Sequence, residues 1–214
     1  MNNFTVEPLF STPLYKSKVT FNFDVLKYLI NIKYEDLYGD NKDVPNCHIS
    51  VSNYILSDNN LSGLKESILL NLKRYLRDIL QFADDIDFYI TTSWVIKHYK
   101  NHYSQQHRHR NSLFSGVVYL QVDSESGIIK FNDDRSSPLF PHQLHLRCKN
   151  TNIYNTRSFT ILPENNDIII FPSNLMHEVS PNKSDLVRYT LAFNVYAAGS
   201  IGNNFLDELT LLIS

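Results

Sequence analysis

The run Phe88-Tyr89-Ile90-Thr91-Thr92-Ser93-Trp94-Val95-Ile96 decides how this chain is read. All of it except Ser93 is β-branched or aromatic, the composition of a strand half-buried on a pleated surface. Downstream, similar short runs recur at 113–122, 127–131, 143–147, 158–162, 167–171 and 187–196. Turn chemistry separates them, as in Asp123-Ser124-Glu125-Ser126-Gly127, Pro163-Glu164-Asn165-Asn166-Asp167 and Pro181-Asn182-Lys183-Ser184-Asp185. Many short strands at this spacing predict a sandwich or barrel.

Upstream the texture differs. Residues 4–19 read as extended and broken by prolines. Residues 24–38 carry Val25, Leu26, Leu29, Ile30 and Leu37 at helical spacing. A stronger helix is expected over 62–82, with Leu64, Ile68, Leu72, Tyr75, Leu76 and Ile79 as its apolar stripe and Ser62 as its N-cap. Helices first and strands after predict a mainly β fold with packing helices (α+β), the helices covering one face of the sheet. One domain over 1–214 is expected: an N-terminal strand and helices (1–86), a β core (87–198) and a C-terminal segment (199–214).

Composition limits the function. The chain has 214 residues, 43% hydrophobic and 13% aromatic, enough for a packed core. A net charge of -2 gives no strong nucleic-acid signal. No run approaches the roughly 20 apolar residues of a membrane span. The N-terminus lacks the basic and apolar regions of a signal peptide. A cytoplasmic protein is expected, in the host cytoplasm if the chain is viral. Cys47 and Cys148 are expected to be separate buried thiols. A homodimer is left open.

Three histidines and one arginine carry the chemistry. His107 and His109 lie two apart, so on a strand both imidazoles face one point. His177 must come from another strand end. Imidazole suits Fe, Zn and Cu, and three protein ligands leave coordination positions open. His98 and His102, His142 and His145, and His48 read as solvated or structural. Arg188 begins a strand on which alternation places Arg188, Thr190, Ala192 and Asn194 on one face and Tyr189, Leu191 and Phe193 on the other. A guanidinium inside a barrel needs an anionic partner, either a structural Asp or Glu or a dicarboxylate ligand.

At these residues the chain resembles a small bacterial and phage subfamily of iron- and 2-oxoglutarate-dependent oxygenases. The matching blocks are Trp94, His107-Arg108-His109, Asn111-Ser112, residues 115–120, 127–131 and 171–179, and Arg188-Tyr189-Thr190-Leu191-Ala192-Phe193-Asn194. Residues 9–15 are similar to the family's opening. The resemblance implies a double-stranded β-helix (jelly roll). It implies Fe(II) on His107, His109 and His177, with 2-oxoglutarate as cosubstrate and its far carboxylate on Arg188 and Thr190. Tyr119 and Asn194 are expected in the same pocket. The implied reaction hydroxylates a substrate and releases succinate and carbon dioxide. A small molecule, peptidyl side chain, sugar or nucleobase would each serve as substrate.

Two features depart from the family. His109 stands where most members carry Asp or Glu, which leaves no carboxylate on the metal. Residues 97–106 lack a glycine found in relatives. The rival readings are a non-enzymatic jelly-roll binding or phage accessory protein, and a three-His cupin-like dioxygenase without keto acid. Intact ligand positions argue against the first, and Arg188 with Thr190 against the second.

Overall fold

The computed structural model describes residues 4–37, 47–133, 147–202 and 211–213. The elements are β1 (Tyr15–Lys18), α1 (Phe23–Ile30), β2 (Tyr34–Asp36), β3 (His48–Ser50), α2 (Ser62–Lys73), β4 (Ile86–His98), β5 (Ser104–His107), β6 (Phe114–Gln121), β7 (Ile129–Asn132), β8 (Ser158–Ile161), β9 (Asp167–Pro172), β10 (Met176–Val179), β11 (Arg188–Ile201) and β12 (Leu211–Ile213). They form two antiparallel sheets. The larger runs β1-β9-β6-β11-β4-β3-β2, with β12 added to β11, and the smaller runs β5-β10-β7-β8. This is the expected jelly roll with helices packed on it.

Alternation along the central strands divides the interior in two. On β11, Tyr189, Leu191 and Phe193 face the helices and pack with Leu64, Ile68, Leu72, Tyr75 and Leu76. The opposite face of the large sheet turns toward the small one. There Tyr119, Ile169 and Phe171 meet Ile129, Phe131 and Ile161. Gly116 makes room for the Phe193 ring of the neighbouring strand: a Cβ at this position would lie 2.2 Å from that ring.

The predicted helices need correction. The first ends at Ile30, and the chain turns to form β2 against β3. Tyr34 then packs on Tyr189 and under the Lys97 ammonium, contacts that favour the strand over a longer helix. The second helix is α-helical only to Lys73 and continues as π-helical turns over Arg74–Ile79. The wider turn rotates later residues off the stripe. Leu64 to Leu76 are buried as expected, but Ile79 is 54% exposed. Ser62 is already helical and makes no cap, because a 3-10 turn capped by Asp58 leads into the helix. Buried Asn71 accepts a hydrogen bond from the Tyr15 hydroxyl and donates to the Ser67 carbonyl, tying α2 to β1.

Most predicted strands exist, and β4 runs two residues further at each end than the opening motif. The expected strand over 143–147 falls almost wholly outside the described residues, as do His142 and His145. Cys47 is buried, but Cys148 is exposed, because it lies in an irregular segment rather than in the core.

Candidate metal centre

The H-x-H pair converges, though not by strand alternation alone. His107 is the last residue of β5, and His109 lies just beyond the strand. His107 stands directly opposite His177 in the β5–β10 ladder. The His109 backbone N–H donates to the Ser173 carbonyl at 3.0 Å, which folds the post-strand turn back over the same point. One ring nitrogen from each of His107, His109 and His177 lies within 4.8 Å of the others.

The imidazoles are oriented for coordination. His107 Nδ1 sits 2.7 Å from the Gln105 carbonyl, and His177 Nδ1 sits 2.9 Å from the Leu175 carbonyl. A carbonyl only accepts, so Nδ1 carries the proton and Nε2 keeps its lone pair for a metal. Phe171 and Phe131 pack beside His177 with ring centroids 4.8 and 6.0 Å away. Burial, then the neighbouring His107, lowers His109 to about 4. The same two causes lower His177 to about 3, against an opposing hydrogen bond to Leu175. Both rings are therefore neutral, the form a divalent cation needs. The three nitrogens suit a ferrous ion, whose remaining positions would stay open.

A cavity of about 380 Å³ joins this centre to Arg188. Its floor follows from the register of the large sheet. One row across β4 and β11 pairs His98 with Arg188, with Cys47 just before β3 on the same side. The next holds Ile49, Ile96, Thr190 and Tyr119. The third holds Trp94, Ala192 and Val117. Trp94 reaches the metal end, its ring 5.9 Å from that of His109.

Arg188 is 1% exposed. Its Nη1 donates to the Ser126 carbonyl at 2.6 Å, while Nε and Nη2 have no partner among the described residues. No Asp or Glu lines the cavity among the described residues, so the structural carboxylate considered from sequence is not found there. Burial pulls the guanidinium down to about 10, which leaves it charged at neutral pH. Burial pushes the Tyr119 phenol up, against the opposing pull of Arg188. An unpaired buried cation beside an open cavity fits an absent carboxylate.

Of the expected site residues, the three histidines, Arg188, Thr190 and Tyr119 share this cavity. Asn194 does not line it. Its side chain accepts from Ser115 and donates to Thr92 in a hydroxyl network that also includes Ser173 and Ser112. Alternation put it on the correct face, one row too far from the open space. His98, read from sequence as solvated or structural, lines the cavity. Its phase with Trp94 on β4 was the available signal.

Residues 92–194 match the family described as "Putative 2OG-Fe(II) oxygenase". No curated protein matches the chain. Among solved structures, the non-heme alpha ketoglutarate dependent epimerase SnoN from nogalamycin biosynthesis superposes with a TM-score of 0.61 at 13% identity, over 92% of this chain and 85% of its own. The carbocyclase SnoK from the same biosynthesis gives 0.60 at 12%, over 95% and 92%. HygX from Streptomyces hygroscopicus, solved with nickel, 2-oxoglutarate and hygromycin B bound, gives 0.57 at 12%, over 86% and 82%. At these identities the likeness is one of fold.

Proposed function

We propose that this chain is a 2OG-Fe(II) oxygenase that hydroxylates its substrate and releases succinate and carbon dioxide. The observation that carries this reading is the pairing of two features in one cavity. At one end are three converging imidazoles, and at the other is a buried guanidinium with two nitrogens that find no partner among the described residues.

His107, His109 and His177 would hold the ferrous ion. Arg188 and Thr190 would hold the far carboxylate of 2-oxoglutarate, with Tyr119 beside them. When bound, iron and keto acid supply the oxidation, in which dioxygen gives one atom to succinate and one to the substrate. The protein binds, orients and keeps water out. Arg188 supplies a planar fork of donors to a planar carboxylate. Ile49, Ile96, Val117, Ile129 and Phe171 form an apolar wall around the reacting centre. That wall strengthens electrostatic contacts inside it. Trp94 and exposed Gln105 and Gln106 stand on the substrate side. A small molecule is the substrate class that a cavity of this size favours. Hygromycin B in HygX and nogalamycin RO in SnoN show small molecules bound to the same fold.

The test is calorimetric titration of 2-oxoglutarate into Fe(II)-loaded protein without oxygen. One saturable site that disappears with the metal supports the reading. Absence of binding, or equal binding to metal-free protein, contradicts it.

A further inference from the structure

His98 is the second polar side chain sealed into the arginine end of the cavity. It is 1% exposed and pairs with Arg188 across β4 and β11. Its Nε2 lies 3.0 Å from the Ser104 hydroxyl, while its Nδ1 has no partner among the described residues. Burial, then the Arg188 charge and His102, holds this imidazole well below its ordinary range against an opposing backbone contact from Tyr103, so it is neutral. A neutral imidazole carries one N–H. Ser104 can donate or accept, so the proton of His98 can reside on either nitrogen. The row therefore holds three buried nitrogens without partners among the described residues: Nδ1 of His98, and Nε and Nη2 of Arg188. Leaving such groups unsatisfied is costly, and a carboxylate can accept up to about four hydrogen bonds.

We propose that His98 is a second anchor for the far carboxylate of the keto acid, donating Nδ1–H to it beside Arg188 while its Nε2 accepts from Ser104. This rests on the 2-oxoglutarate reading above. It assigns a contact to a histidine outside the metal set and outside the arginine strand. Ser104 begins β5, the strand that ends in His107. The anchor is therefore built onto the same strand that delivers a metal ligand.

The test compares 2-oxoglutarate with 2-oxopentanoate, which keeps the chelating end and replaces the far carboxylate by methyl. Binding to metal-loaded wild type, His98→Leu and His98→Asn is measured anaerobically. Metal affinity is followed separately through Trp94 fluorescence, Trp94 being the only tryptophan of the chain. His98→Leu should weaken 2-oxoglutarate about 10- to 100-fold and leave 2-oxopentanoate and the metal unchanged. His98→Asn offers an amide N–H near the Nδ1 position and should recover most of the loss. In wild type, nitrogen-15 NMR of the zinc-loaded protein should show His98 Nδ1 protonated once 2-oxoglutarate is added. This holds the proposal to account even if the leucine variant does not fold. Equal binding of 2-oxoglutarate to His98→Leu, parallel loss of both keto acids, or an unprotonated Nδ1 in the complex each overturns it. Failure of wild type to bind 2-oxoglutarate at all would instead overturn the reading on which it rests.

Discussion

Arg188 is buried with two guanidinium nitrogens that find no partner among the described residues, and the proposed function assigns them to the far carboxylate of 2-oxoglutarate. Its charge-assisted contacts should contribute roughly 1.5–3 kcal/mol each, so Arg188→Ala should weaken 2-oxoglutarate by one to several decades. Arg188→Lys keeps the charge and loses the fork, and should fall between wild type and alanine. Metal affinity should hold in both variants, because Arg188 is not a ligand. Cosubstrate and metal titrations of the three proteins check this, and an unchanged affinity in Arg188→Ala rejects the assignment. The histidines give a pH signature. His98, His109 and His177 are all depressed, the last two to about 4 and 3. The unfolded chain takes up these protons near the ordinary value of 6.5, before the folded one does. Stability of the metal-free protein is therefore complete above that pH and is lost as pH falls toward 4 and 3. Urea midpoints at about pH 5 and 7.5 should differ, with the acid value lower; equal midpoints contradict the burial argument. Arg188 and Thr190 were legible in sequence because strand period fixes which side chains share a face, whereas His109 reaches His107 and His177 through the turn after β5. His98 was legible by the same rule but was set aside. Asn194 shows the limit of that rule, since alternation gives a face and not a distance from the cavity.

At the scale of elements, α2 should contribute to stability and not to chemistry. Leu72 is 2% exposed within the layer between helix and sheet. Leu72→Ala should cost roughly 2–5 kcal/mol, read as a lowered denaturation midpoint. Ile79, turned outward by the π-helical segment, is the matched control, and Ile79→Ala should change stability by no more than about 0.5 kcal/mol. If Ile79→Ala is as costly as Leu72→Ala, the π-helical rotation is wrong. A constant 3.6-residue period cannot foresee that rotation, which is why the stripe was legible to Leu76 and not beyond. Short strands were the other blind spot. β5 and β10 have 4 residues each, the first wholly polar and the second with apolar residues only at its ends, so no hydrophobic period marks them. Cross-strand pairing forms them, and that pairing places His107 opposite His177. Among the turns, Gly127 has φ +88, and a Cβ there would meet the Ser180 carbonyl at 2.6 Å and Arg188 Nη1 at 3.0 Å. This turn also carries Ser126, whose carbonyl accepts from Arg188. The seat of the guanidinium thus depends on a backbone conformation that only glycine adopts readily.

For the whole molecule, the two sheets divide the labour. The small sheet and the turn after it bring the imidazoles; the large sheet brings Arg188, Thr190, Tyr119 and Trp94. Among the described residues lining the cavity, Arg188 is the only Lys, Arg, Asp or Glu, so a single anion is what the space accommodates at that end. The jelly roll was legible as a class because turn residues punctuate the strands. Strand order was not legible, since β11 pairs with β4 and β6 far earlier in the chain. One anaerobic experiment tests the central claim most directly: Fe(II), then 2-oxoglutarate, added to the protein while the visible absorption spectrum is recorded. The account predicts a metal-to-ligand charge-transfer band that appears only when both are present, saturates at one equivalent of each, and is lost in His109→Ala. No band in the wild type, or a band undiminished in His109→Ala, would contradict a three-histidine iron centre that chelates the keto acid.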